Sequence, residues 1–119
     1  MEVFSNEIGC YSCERMWKLL ANVEFQTMPL NKLYHCLELE VWGDLQPISL
    51  FGSSGNYFHK MLVEEADLQY PIELWPQDWY NTDVVANGYH RLLKAYKMGV
   101  REIRVRHIPE ELLMQAVVI

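Results

Sequence analysis

The sequence predicts a single α/β (α+β) domain in which a small mixed sheet is flanked by helices, and three observations predict it. The chain has 119 residues, the size of one ordinary domain, whereas two halves would each be too small to hold a core unaided. Half of the residues are hydrophobic, with only 6 Gly and 5 Pro, so folding can bury enough surface to offset chain entropy. Segments whose apolar residues recur every three to four positions also alternate with short segments of strand character.

The elements follow in order. Ser12 is placed to cap a helix over residues 12–22, with Met16, Leu19, Leu20 and Val23 on its apolar face and Arg15 and Lys18 on its polar side. Strands are expected from Phe25 to Leu30 and from Leu37 to Trp42, where Leu37, Leu39 and Val41 alternate with Glu38, Glu40 and Trp42. Residues 51–56, rich in Gly and Ser, read as a surface loop or lid, and Tyr57 to Leu68 as a helix. Tyr70 to Pro76 reads as a short strand bracketed by prolines, which cannot donate to a ladder, and Trp75, Trp79 and Tyr80 as an aromatic cluster. Val84 to Ala86 forms a strand, Asn87-Gly88 a turn, and residues 89–98 a helix stopped by Gly99. Arg101 to His107 returns as a strand, and Pro109 opens a short C-terminal helix. The expected organisation is a helical extension over 1–24, the main domain over 25–108 and a helix or tail over 109–119.

Charge narrows the function classes. The formal net charge is −6, which disfavours a generic basic nucleic-acid binder. It is unevenly distributed, since residues 1–90 hold thirteen acids and four bases, a net of −9, whereas residues 91–106 hold six bases and one acid, a net of +5. An anionic partner is therefore expected at Arg91, Lys94, Lys97, Arg101, Arg104 and Arg106. The sequence offers no apolar run long enough to span a bilayer and no basic-then-apolar leader, so the expected setting is cytoplasmic, without membrane association. The apolar end Leu112 to Ile119 is suited either to the chain's own sheet or to a homodimer.

Three cysteines in a reducing setting do not indicate a disulfide framework. Cys10 and Cys13 form a C-x-x-C pair, and with His35 and Cys36 they are of the right type for zinc, though not at an established spacing. A redox role would require the strand that precedes such a pair in thioredoxin-like units. Packing at a helix start and in a core strand is the simpler reading of all three.

The densest local grammar lies between Thr82 and Val100. A strand runs into a glycine turn at a helix N-terminus, where unpaired backbone N–H groups and the positive dipole end favour an anion. His90 and Arg91 add donors at the same point. The stretch Val84-Val85-Ala86-Asn87-Gly88-Tyr89-His90-Arg91, its helix, Lys97-Met98-Gly99-Val100 and the strand Ile103 to Arg106 resemble the signature region of the ParB/sulfiredoxin superfamily, whose members commonly read D-G-x-H-R here. Met28 to Leu33 is similar to that family's opening strand and Tyr70 to Leu74 to its proline-led strand, so the resemblance spans about residues 25–108.

The resemblance implies nucleotide or nucleic-acid phosphate contacts at Gly88, His90 and Arg91; Tyr89 and Lys94 are the expected secondary contacts, and ATP, ADP or CTP, with Mg, are the candidate cofactors. It departs from the family at three points. Tyr89 stands where sulfiredoxins have their catalytic cysteine, the Glu-Arg-Arg turn of CTP-hydrolysing ParB proteins is missing, and Asn87 replaces the usual acid. For nuclease or phosphotransfer chemistry the candidate catalytic groups are Glu38, Glu40, Asp83 and His90. If Glu38 and Glu40 share a strand face they lie about 6 to 7 Å apart, near enough to hold a metal jointly. The competing expectation is a catalytically degenerate interaction module, an accessory or inhibitory factor of a phage or plasmid, with a protein partner met through the aromatics of residues 75–80.

Overall fold

The computed structural model describes residues 3–6, 9–41, 45–50 and 57–117. It is an α+β fold built on a four-stranded mixed sheet in the order β3-β6-β4-β5, where β3 is Gln26–Pro29, β4 Ile72–Leu74, β5 Val85–Asn87 and β6 Glu102–His107. β3 and β6 are antiparallel, β4 and β5 are antiparallel with a register shift at Glu73/Leu74, and β4 and β6 are parallel with Leu74 opposite His107. Side chains on a strand alternate between the two faces, and both faces of this sheet are covered.

One face carries Met28, Ile72, Leu74, Val85, Ile103 and Val105 and forms the larger core with Leu33, Cys36, Val63, Leu92 and Leu93. Those partners come from a 3₁₀ helix over Leu30–Glu38 and from two α-helices, α2 (Tyr57–Glu65) and α3 (Tyr89–Met98). Leu92 and Leu93 are fully buried, each worth about 1.5 to 3 kcal/mol relative to exposure. The glycine signals are correct: Gly99 is left-handed at φ 70°, and Val100 N–H donates to Ala95 O at 3.1 Å, closing the end of α3.

The other face carries Trp75, Ala86 and Ile108 and is covered by both chain ends. The expected helical extension over 1–24 is instead an antiparallel hairpin, β1 (Val3–Ser5) with β2 (Cys10–Ser12), leading into α1 (Cys13–Leu19). Ser12 caps α1 as expected, its Oγ accepting from Arg15 N at 3.2 Å. The C-terminal helix α4 (Glu110–Gln115) packs on α1, Leu113 and Ala116 are buried, and Ser12 N–H donates to Ala116 O at 2.9 Å. Leu113 and Ala116 of the apolar tail therefore pack within their own chain. Phe4, Tyr11 and Trp75 meet with ring centroids 5.4 to 5.6 Å apart.

The expected strand from Leu37 to Trp42 does not form. Leu37 and Glu38 end the 3₁₀ helix, Leu39 is 40% exposed, and residue 42 lies outside the described residues. Leu30, Leu33 and Cys36 are buried at strict three-residue spacing, which a 3₁₀ helix stacks on one side because i and i+3 eclipse. Burying that row outweighs the two-residue alternation further on. The loop expected over 51–56 also lies outside the described residues, and no helix among the described residues is long and apolar enough to cross a membrane.

Candidate functional site

The turn between β5 and α3 is built as a helix N-terminus open to an anion. Gly88 has φ 113°, a value that L side chains rarely adopt, and a Cβ there would stand 3.3 Å from Arg91 Nη2 and Ile72 Cγ1. Gly88, the N-cap, brings no side chain to cap the first turn of α3. A helix start without such a cap can offer its leading N–H groups to an anion.

Behind the turn lies a buried polar row. Glu73, 1% exposed, sits between Asn87 of β5 and Arg106 of β6, the register partner of each on either side. Asn87 Nδ2 donates to Glu73 Oε1 at 3.0 Å, and Arg106 Nη2 lies 3.5 Å from Glu73 Oε2. Burial raises the Glu73 carboxyl above its ordinary value, outweighing the Asn87 hydrogen bond and the two guanidinium groups of Arg106 and Arg91. Glu73 Oε2 and Arg106 Nε are buried with no hydrogen-bond partner among the described residues. Two guanidinium groups facing one carboxylate leave the field behind the turn positive.

The basic block does not present a free cationic stripe. Arg91 Nη1 donates to Pro71 O, and Lys94 Nζ donates to Glu64 O at 2.9 Å and Ala66 O at 2.6 Å, at the end of α2. Arg104 Nη1 donates to Gln69 O at 3.1 Å with its guanidinium over the Phe25 ring, and Arg106 Nη1 donates to Leu20 O at 2.8 Å. Four of the six cations thus hold backbone carbonyls at loops and helix ends. Tyr89, offered as a phosphate contact, donates instead to Val85 O at 2.8 Å, and burial raises its pKa. Of the five expected cradle residues, the side chains of Tyr89, Arg91 and Lys94 are structural ties to backbone carbonyls.

His90 Nε2 lies 2.9 Å from His59 Nδ1 of α2, with the rings stacked at 5.1 Å. Burial, then His59 and Arg91, lowers the His90 pKa to about 4. Burial lowers that of His59 as well. The pair is neutral near pH 7, and one ring nitrogen must donate to the other.

The other candidates scatter. Glu38 and Glu40 are exposed and share no strand, so their expected joint face does not exist. Cys13 and Cys36 are buried in different cores and Cys10 stands on β2. No group of three His, Cys, Asp or Glu side chains able to hold a metal occurs among the described residues. Burial pushes the Cys36 thiol up, which suits packing rather than a thiolate. Trp75 is buried and stacks on Trp79 at 6.2 Å, so the aromatics proposed for a partner belong largely to the second core.

Asp83 stands at the far end of β5 from Gly88, in company that sequence reasoning missed. His107 Nε2 is 2.8 Å from Asp83 Oδ1, and His35 Nε2 is 2.8 Å from Asp83 O. The missed Glu73 had a readable signal, since a lone carboxylate between Ile72 and Leu74 is out of place in a buried strand unless it is paired. Comparison of the chain with family models, with curated proteins and with solved structures gives no match.

Proposed function

We propose that this chain binds the phosphate of a nucleotide or nucleic acid at the N-terminus of α3, with the backbone N–H groups of the first turn as its main donors. The observation that supports this reading is the left-handed, uncapped Gly88 turn set in front of Arg91 and Arg106. Oriented backbone dipoles and a net positive interior favour an anion there without any side chain having to reorganise. The resemblance of the turn to the ParB/sulfiredoxin signature points the same way.

The reading is one of binding rather than phosphoryl transfer. Glu38 and Glu40 are exposed and belong to no strand, and Asp83 is at the opposite end of β5, roughly 15 Å along extended chain. His90, the one titratable candidate on the turn, has a pKa near 4 and is a weak base. Titration calorimetry with ATP, CTP and inorganic phosphate at low salt tests the reading. Binding that weakens as salt rises is the expected result. No detectable heat with any of the three would remove it.

A further inference from the structure

We propose that the cleft at the carboxyl ends of β4 and β6 is a second binding site, for a small hydroxylated anion of the phosphorylated-sugar class. Lys32 would hold the anionic group and Asp83 the hydroxyls. The cleft goes beyond the α3 reading because it lies at the other end of β5. It is an open groove of about 470 Å³ lined by Lys32, Gln77, Tyr80, Asn81, Thr82 and Asp83, a volume within the range of small-ligand sites.

Its position has a topological basis. β4 and β6 are the parallel pair of the sheet, and they end side by side where Leu74 registers with His107. Crevices outside the carboxyl ends of parallel strands are where open sheets bind ligands, because the chain departs there in loops free to carry polar groups. The loop from Gln77 to Asp83 supplies five of the six lining residues, and the 3₁₀ helix supplies the sixth.

The chemistry is set by what already has a partner. Asp83 Oδ1 is engaged by His107 and Asp83 O by His35, so both the carboxylate and the backbone behind it are fixed from two elements. Asp83 Oδ2 has no hydrogen bond among the described residues and remains an acceptor for a ligand hydroxyl. Side-chain exposures of 20% for His107 and 29% for Asp83 keep the pair in reach of solvent. Lys32 makes no hydrogen bond or ion pair among the described residues, and a flexible ammonium suits a phosphate or carboxylate as a point charge. The amides of Gln77 and Asn81 and the hydroxyl of Thr82 can each both donate and accept, as a polyol does, and the Tyr80 ring provides an apolar wall.

The test is a titration of the full chain with ribose 5-phosphate followed by amide NMR, with ribose and inorganic phosphate as separate arms. The expected result is shifts at Asn81, Thr82 and Asp83, with both partial ligands binding about tenfold more weakly or worse. Lys32→Ala and Asp83→Asn should each weaken ribose 5-phosphate by about tenfold, and Lys97→Met should leave it unchanged. Lys32 is exposed, so its variant reports on binding even if Asp83→Asn disturbs the fold through His107. Shifts confined to Tyr89 and His90, no shift up to about 10 mM ligand, inorganic phosphate shifting Asn81, Thr82 and Asp83 as readily as ribose 5-phosphate does, or full affinity at those residues in Lys32→Ala would each overturn the proposal. Silent α3 amides would count against the α3 reading alone.

Discussion

Asn87 Nδ2 donates a 3.0 Å hydrogen bond to Glu73 Oε1 across the pairing of β5 with β4. The amide is therefore matched to a buried carboxylate, which explains why an acid is unsuited to this position in this chain. Asn87→Asp would set two carboxylates together in a site where one is already held up by burial. The expected cost at pH 7.5 is about 2 to 4 kcal/mol by urea denaturation. A carboxyl with a raised folded pKa stabilises below its unfolded value and loses that contribution as pH rises, so the deficit should shrink toward pH 4. A deficit independent of pH would contradict the charge explanation.

Glu73 itself carries the same sign. Burial raises its pKa above the ordinary carboxyl value despite Asn87, Arg106 and Arg91, so its contribution is greatest below about pH 4.5 and declines as pH rises through the folded value. Glu73→Gln keeps an acceptor for Asn87 while removing the charge. Its melting temperature should match the natural chain near pH 4 and equal or exceed it at pH 7.5. A marked loss at pH 7.5 would mean that the Arg106 pairing outweighs desolvation.

His90 has the opposite sign. Its pKa is lowered to about 4 from 6.5, so the fold prefers the neutral ring. The stability this provides is complete above about pH 6.5 and is lost as pH falls toward 4. His90→Gln should therefore flatten the decline in melting temperature between pH 6.5 and 4. An unchanged slope would place the titration elsewhere.

Lys94 ties α3 to the end of α2 through Glu64 O and Ala66 O. Lys94→Met keeps the aliphatic stem and removes the donors, and should cost about 1 to 3 kcal/mol. Lys97→Met, on an exposed neighbour with no hydrogen bond or ion pair among the described residues, should stay within about 0.5 kcal/mol. Equal effects would mean that the basic block acts through general charge rather than through carbonyl ties.

The elements set by local rules were legible in the sequence: Ser12 capping α1, Gly88 and Gly99 bounding α3, and the alternation of Ile103 and Val105 along β6. The hairpin at the N-terminus was hidden because Tyr11 and Cys13 continue into a helical pattern, and its pairing depends on a distant Ala116. Residues 37–42 misled because three-residue burial and two-residue alternation overlap there, and only tertiary packing decides between them. At the candidate site the turn was readable, but the partners of its cations were not. Pro71, Glu64, Ala66, Gln69 and Leu20 offer backbone carbonyls, which leave no signature in side-chain identity.

The most direct test of the anion-binding account is an amide NMR titration of the full chain with inorganic phosphate and then ATP at low salt. The account predicts that the largest shifts fall on Tyr89, His90 and Arg91 in the first turn of α3, persist in Lys97→Met and fade as salt is raised. Shifts that avoid this turn, or none at all, would contradict it.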